Sequence, residues 1–108
     1  MGIFDLFKKN NINSEVQKLK STPNAVLLDV RTKEEYKEGH IPNSVNIPVD
    51  KLETAPLKFN KETTIFVYCH SGARSSRAVA ILNRLGYMNA KNIGGIIDYT
   101  GEVVTRWK

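Results

Sequence analysis

The sequence predicts an α/β domain built on a parallel sheet with helices on both faces. Two features carry that prediction. Short apolar runs alternate with amphipathic helical stretches along the chain, and the run richest in β-branched and aromatic residues, TTIFVY at 63–68, leads through a short loop into the best helical pattern, SSRAVAILNRLG. Strands buried on both faces read as continuous apolar runs, and helices alternating with them are the signature of a parallel sheet. At 108 residues the chain has room for one core, so a single domain over 1–108 is expected, with its core at about 13–100.

Each element has its own local reason. Residues 13–21, NSEVQKLKS, place Val16 and Leu19 at helical spacing behind Ser14 as the expected cap. AVLLDV at 25–30 is a short apolar run after Pro23 and Asn24, which suits a buried strand ending at Asp29. TKEEYKE at 32–38 reads as a short helix capped by Thr32 and stopped by Gly39. Residues 45–47 form a brief strand between Pro42 and Pro48, and a weaker helical stretch follows at 51–57. TTIFVY is the clearest strand and delivers the chain to Cys69. The next helix puts Ala78, Ile81, Leu82 and Leu85 on one face and stops at Gly86. A last short strand is expected at 90–93, whereas IIDYTGEVV beyond Gly94 and Gly95 carries no clear pattern.

Composition narrows the function classes. A hydrophobic share of 41% with 25% charged residues belongs to an ordinary water-soluble domain, and no run approaches the roughly 18 apolar residues of a membrane span. The start, MGIFDLFKKN, lacks the basic segment of a secretory signal, and Leu6 breaks the myristoylation pattern. Its Ile3, Phe4, Leu6 and Phe7 ahead of Lys8 and Lys9 could touch a membrane or partner, though such stretches more often pack on their own domain. A net charge of +5 favours anionic partners, but the bases alternate with acids as in KEEYKEGH and no nucleic-acid recognition motif accompanies them. Nucleic acid is therefore not an expected partner. One cysteine forms no internal disulfide, so a reducing, cytoplasmic location is expected.

That cysteine is the chemical focus. Cys69-His70-Ser71-Gly72-Ala73-Arg74-Ser75 joins the strongest strand to the strongest helix, which aims successive backbone N–H groups into a small concave pocket fit for an anion. A thiolate there gains from the helix terminus and from the nearby arginine, while Gly72 gives the loop access to backbone angles that a Cβ resists. With no second cysteine, any persulfide or disulfide on Cys69 must be released by another molecule. Asp29 and Arg31 fall at the same carboxyl edge of the sheet, where open α/β sheets bind ligands.

Three stretches, LLDVRTKEEYKEGHIPNSVNIP at 27–48, VYCHSGARSSRA at 67–78 and NIGGI at 92–96, make the chain resemble the single-domain rhodanese-like sulfurtransferases over about residues 26–97. The resemblance implies a central parallel sheet of about five short strands flanked by helices. It further implies that Cys69 accepts sulfane sulfur from thiosulfate or a persulfide, that the loop residues His70, Ser71, Gly72, Ala73 and Arg74 surround the outer sulfur, and that a thiol or cyanide takes it away. A protein thiol is a further acceptor class, and neither metal nor organic cofactor is required. Asp29 and Arg31 match the family's Asp-x-Arg and are expected to support the loop; as an exposed ion pair they would be worth only about 0–1 kcal/mol.

Four residues separate Cys69 from Arg74, whereas the related cysteine phosphatases and arsenate reductases have five. A shorter loop makes a smaller ring of amides, better matched to one sulfur atom than to a tetrahedral phosphate. Those enzymes are the first rival reading; a non-enzymatic docking or sulfur-carrier module of the same fold is the second, and retention of Cys69 argues against docking alone. Glu35 and His40 also match the family's first motif, but His40 in GHIP reads as a packing residue rather than a base. His70 stands where many thiosulfate-using relatives carry Arg or Lys, which weakens thiosulfate as the preferred donor. Arg77 adds potential at the mouth or is simply solvated, and Gly94 and Gly95 are expected to permit close backbone approach.

Overall fold

The structure, a computed structural model, describes residues 11–105, and the amphipathic start at 3–9 lies outside them. Its first helix, α1 (Ile12–Leu19), begins one residue earlier than the sequence pattern implies. Asn11, not Ser14, is the cap: its side-chain oxygen accepts from the Ser14 N–H at 3.1 Å. The earlier start brings Ile12 into the helix, where it is buried with Val16.

Four parallel strands follow: β1 (Ala25–Asp29), β2 (Val45–Asn46), β3 (Thr64–Cys69) and β4 (Ala90–Gly95). They lie in the order β2-β1-β3-β4. Between them run α2 (Lys33–Glu38), a kinked 3₁₀ helix (Val49–Leu57) and α3 (Ala73–Arg84). The expected fifth strand is absent among the described residues. After Gly95 the chain takes a 3₁₀ turn (Ile96–Asp98) and makes only a one-residue antiparallel bridge between Val104 and His40. The 51–57 stretch is 3₁₀ rather than α-helical, broken at Lys51 and carrying Pro56, which cannot donate to a helical ladder.

Strand alternation divides the core in two. Leu27, Phe66, Tyr68 and Ile93 face one way and pack with Ile12 and Val16 of α1, while Leu28, Ile65, Val67 and Cys69 face Ala78 and Leu82 of α3 and Leu52 of the 3₁₀ helix. The period of two thus places the cysteine side chain on the α3 face. The strand order also positions it along the edge. From β1 the chain moves outward to β2, returns past β1 to β3, and then moves the other way to β4. The loops after β1 and β3 therefore diverge, and a crevice opens between the two strand ends.

α2 shows how sequence fixes an element that buries none of its residues. Thr32 Oγ1 accepts from the Glu35 N–H at 3.2 Å, and the Glu35 carboxylate accepts from the Thr32 N–H at 2.9 Å. This reciprocal cap satisfies two otherwise unpaired donors. Among the described residues no helix is long and apolar enough to cross a membrane.

Candidate active site

Cys69 ends β3, and α3 starts four residues later, so the loop is shorter than the helical pattern from Ser75 implied. Gly72 makes that turn at φ 106°, a left-handed conformation that favours glycine, and its N–H donates to Cys69 Sγ at 3.0 Å. The Ser75 N–H, in the first turn of α3, donates to the same sulfur at 3.3 Å, and Ser75 Oγ lies 3.4 Å from it. Burial alone pushes the Cys69 thiol up. Hydrogen bonds from the Ser75 hydroxyl and from the N–H groups of Ser75, Gly72 and Ser71 outweigh it and hold the thiol below its ordinary value.

Arg74 takes a different position from the expected one. Its guanidinium donates through Nη1 to Glu35 Oε1 at 2.7 Å and through Nη2 to Glu35 Oε2 at 2.9 Å, a two-pronged clamp to α2. Its charge acts on Cys69 at longer range, and the contacts on sulfur come from the loop amides and Ser75. The Arg74 clamp, set against partial burial and aided by Thr32, holds the Glu35 carboxyl down at about 2. Glu35 matches the first motif of the sequence, which gives no sign of its partner. Thr32 is the expected cap, but Glu35's clamp depends on a residue 39 positions away.

Asp29 and Arg31 form a buried pair, 0% and 5% exposed, and not a surface one. The Arg31 N–H donates to Asp29 Oδ1 at 2.9 Å and its Nη2 to Oδ2 at 2.7 Å. The same Nη2 reaches the Gly39 carbonyl at 2.7 Å, tying the end of β1 to the end of α2. These bonds brace the β1 side of the crevice rather than the cysteine loop itself. His40 is also buried; its Nδ1 lies 2.7 Å from the Tyr36 carbonyl, an acceptor only, so that nitrogen carries the proton. Its ring stacks on Tyr36 with centroids 3.6 Å apart, the packing role read from the sequence.

His70 and Arg77 are exposed, as are Ser71 and Ala73. His70 lines a cleft of about 370 Å³ with Arg31, Glu35, Glu38, Gly39 and Ile96. Gly95 runs directly beneath the loop, where a Cβ would collide with the His70 carbonyl and Ser71 Cα. Gly94 has a different need, a φ of 109°. Two contributors escaped sequence reading altogether: the Ser75 hydroxyl and the Asn92 amide, which hydrogen-bond to each other at 2.7 Å.

The fold and this strand-end cysteine define the class, which comparison with known proteins makes explicit. The rhodanese-like domain profile matches residues 13–101, and the chain belongs to that family. A mitochondrial Schizosaccharomyces pombe protein, provisionally named a thiosulfate sulfurtransferase, is 41% identical over 94% of this chain and 74% of its own length. An Allochromatium vinosum protein named sulfurtransferase is 37% identical over 83% of this chain and 87% of its length. The crystal structure of a rhodanese-like domain protein from Staphylococcus aureus superimposes with a TM-score of 0.74 at 32% identity, covering 87% of this chain and 92% of that one. Longer relatives exist: in the Erwinia tasmaniensis tRNA uridine(34) hydroxylase, 36% identical over 80% of this chain, the match spans only 27% of the protein.

Proposed function

We propose that the protein is a rhodanese-type sulfurtransferase that carries sulfane sulfur as a persulfide on Cys69. The observation that carries this reading is the pair of backbone N–H groups, from Gly72 and Ser75, converging on Sγ at 3.0 and 3.3 Å. Donors fixed in this way favour a sulfur anion both as attacking thiolate and as leaving group, and they need no reorganisation during the reaction.

The chemistry is a double displacement. The Cys69 thiolate attacks the outer sulfur of the donor; the donor's S–S bond breaks and its electron pair departs with sulfite, from thiosulfate, or with a thiolate, from a persulfide. Cys69 is left as a persulfide anion. A thiolate or cyanide then attacks the terminal sulfur, the Cys69 S–S bond breaks, and the cysteine thiolate is restored. His70, Ser71, Gly72, Ala73 and Arg74 form the loop that surrounds the transferred atom, and Asp29 with Arg31 brace the facing strand end. With Cys69 only 1% exposed, an incoming group must reach the sulfur end-on with one small atom, which supports sulfur transfer over phosphoryl chemistry.

The mouth's charges favour one donor class. Arg31 is paired with Asp29, Arg74 is paired with Glu35, and Glu38 lines the same cleft, so among the described residues no unpaired arginine lines it. At its reacting end a low-molecular-weight persulfide presents one negative charge where thiosulfate presents two. Steady-state transfer to a small thiol, with parallel-line double-displacement kinetics, should give a higher kcat/KM for glutathione persulfide than for thiosulfate. His70→Arg should narrow that gap by raising thiosulfate use. A wild-type preference for thiosulfate unchanged by His70→Arg would remove the charge argument, and absence of transfer from either donor would remove the enzyme reading.

A further inference from the structure

The Ser75 hydroxyl has a single proton and three neighbours able to accept it. Asn92 Oδ1 lies at 2.7 Å, the Gly72 carbonyl at 3.1 Å and Cys69 Sγ at 3.4 Å. What Asn92 does therefore decides what the hydroxyl can do for the sulfur. Asn92 belongs to β4, on the far side of β3 from the crevice, and three hydrogen bonds fix its amide. Oδ1 accepts from Ser75 Oγ and from the Gly94 N–H at 2.9 Å, and Nδ2 donates to the Gly72 carbonyl at 3.1 Å. The carbonyl it grips belongs to the same residue whose N–H reaches the sulfur.

Strand register gives this reach: Val67 faces α3 and pairs with Asn92, so the Asn92 side chain lies on the face that holds Ser75. Val67 pairs with Asn92 but Tyr68 pairs with Gly94, so Ile93 is an extra residue in the ladder. The bulge comes after Asn92 and redirects the chain beyond it. Gly94, at φ 109°, then returns its N–H to the Asn92 side chain.

We propose that Asn92 is a positioning residue for Cys69: by holding the Ser75 hydroxyl and the Gly72 carbonyl together, it fixes the donors that surround the sulfur. This inference rests on the reading of Cys69 as the reacting atom, but its test needs no sulfur donor. With the thiol protonated, S–H can donate to Ser75 Oγ, whose proton goes to Asn92. With the thiolate formed, the hydroxyl can turn to the sulfur, and the Asn92 Nδ2–H still restrains the Gly72 peptide. The charged groups around the loop, Arg74 with Glu35 and Asp29 with Arg31, hold one another and are unaltered by changes at Asn92.

The measurement is the pH dependence of Cys69 alkylation by iodoacetamide in the full chain, with circular dichroism confirming the fold of each variant. Asn92→Ala should move the midpoint upward by about half to one pH unit. Asn92→Asp, which replaces the N–H donor facing the Gly72 carbonyl with an anionic oxygen, should move it further. Ser75→Ala should match Asn92→Ala, and the Ser75→Ala/Asn92→Ala double variant should shift no more than the larger single one, because both act through one hydrogen-bonded unit. An unmoved midpoint in folded Asn92→Ala and Asn92→Asp, or fully additive single shifts, would overturn the proposal. A shifted midpoint in a protein that transfers no sulfur would retain Asn92's role and reject only the proposed reaction.

Discussion

The ends of β1 and β3 lie side by side on one edge of the sheet and solve opposite problems. At the end of β1, both Asp29 oxygens are taken by Arg31, and Arg31 extends to the Gly39 carbonyl. Opposite charges are matched and removed from solvent, so this end holds the chain in place. At the end of β3, backbone N–H groups converge on one sulfur while the loop's own cation is turned away to Glu35. Two fixed N–H donors face that one sulfur, a placement that favours its anionic form. The difference teaches that a reactive strand end is marked by hydrogen-bonding capacity left for a charge still to form, and a supporting one by capacity already used.

Breaking the β1 end should give the larger loss of stability. Asp29→Ala leaves a buried guanidinium without its carboxylate, a change that costs about 3–5 kcal/mol, and urea denaturation should register it as a large fall in midpoint. If the β1 end only supports, the fraction of this variant that remains folded should still alkylate at Cys69 with the wild-type pH profile. A profile shifted as strongly as stability would erase the distinction between the two ends.

A smaller effect belongs to the clamp between them. The Glu35 carboxyl, held down to about 2 from an ordinary 4.5, stabilises the folded state fully above pH 4.5 and loses that contribution as pH falls from 4.5 towards 2. Because this pair is one-third exposed, solvent screening leaves it about 1 kcal/mol at most. Glu35→Gln should therefore lower stability slightly at neutral pH and flatten its decline below pH 4.5. An identical acid limb in wild type and variant would detach Glu35 from the acid response.

The sequence announced the parallel architecture, the three principal helices and the strand leading to Cys69 because each has a local cause: an apolar run, a cap, a stop residue. Thr32 and Gly39 bound α2 as their chemistry requires. What stayed hidden depends on register and on distant partners. The 90–93 strand pattern carries no sign that Ile93 bulges or that strand register sets Asn92 beside Ser75, and Arg74 read alone gives no hint that its charge is committed to Glu35. The fifth strand that the resemblance implies is likewise absent among the described residues, where Val104 finds a single partner in His40 rather than a ladder.

The central claim is that Cys69 takes up and releases one sulfur atom, and intact-mass spectrometry tests it most directly. After incubation with glutathione persulfide or thiosulfate and removal of the excess, the protein should gain the mass of one sulfur atom. Cyanide or a small thiol should discharge it, and folded Cys69→Ser should gain nothing. A folded wild-type protein that stays at its original mass with both donors, or a Cys69→Ser variant that loads as the wild type does, would contradict the account.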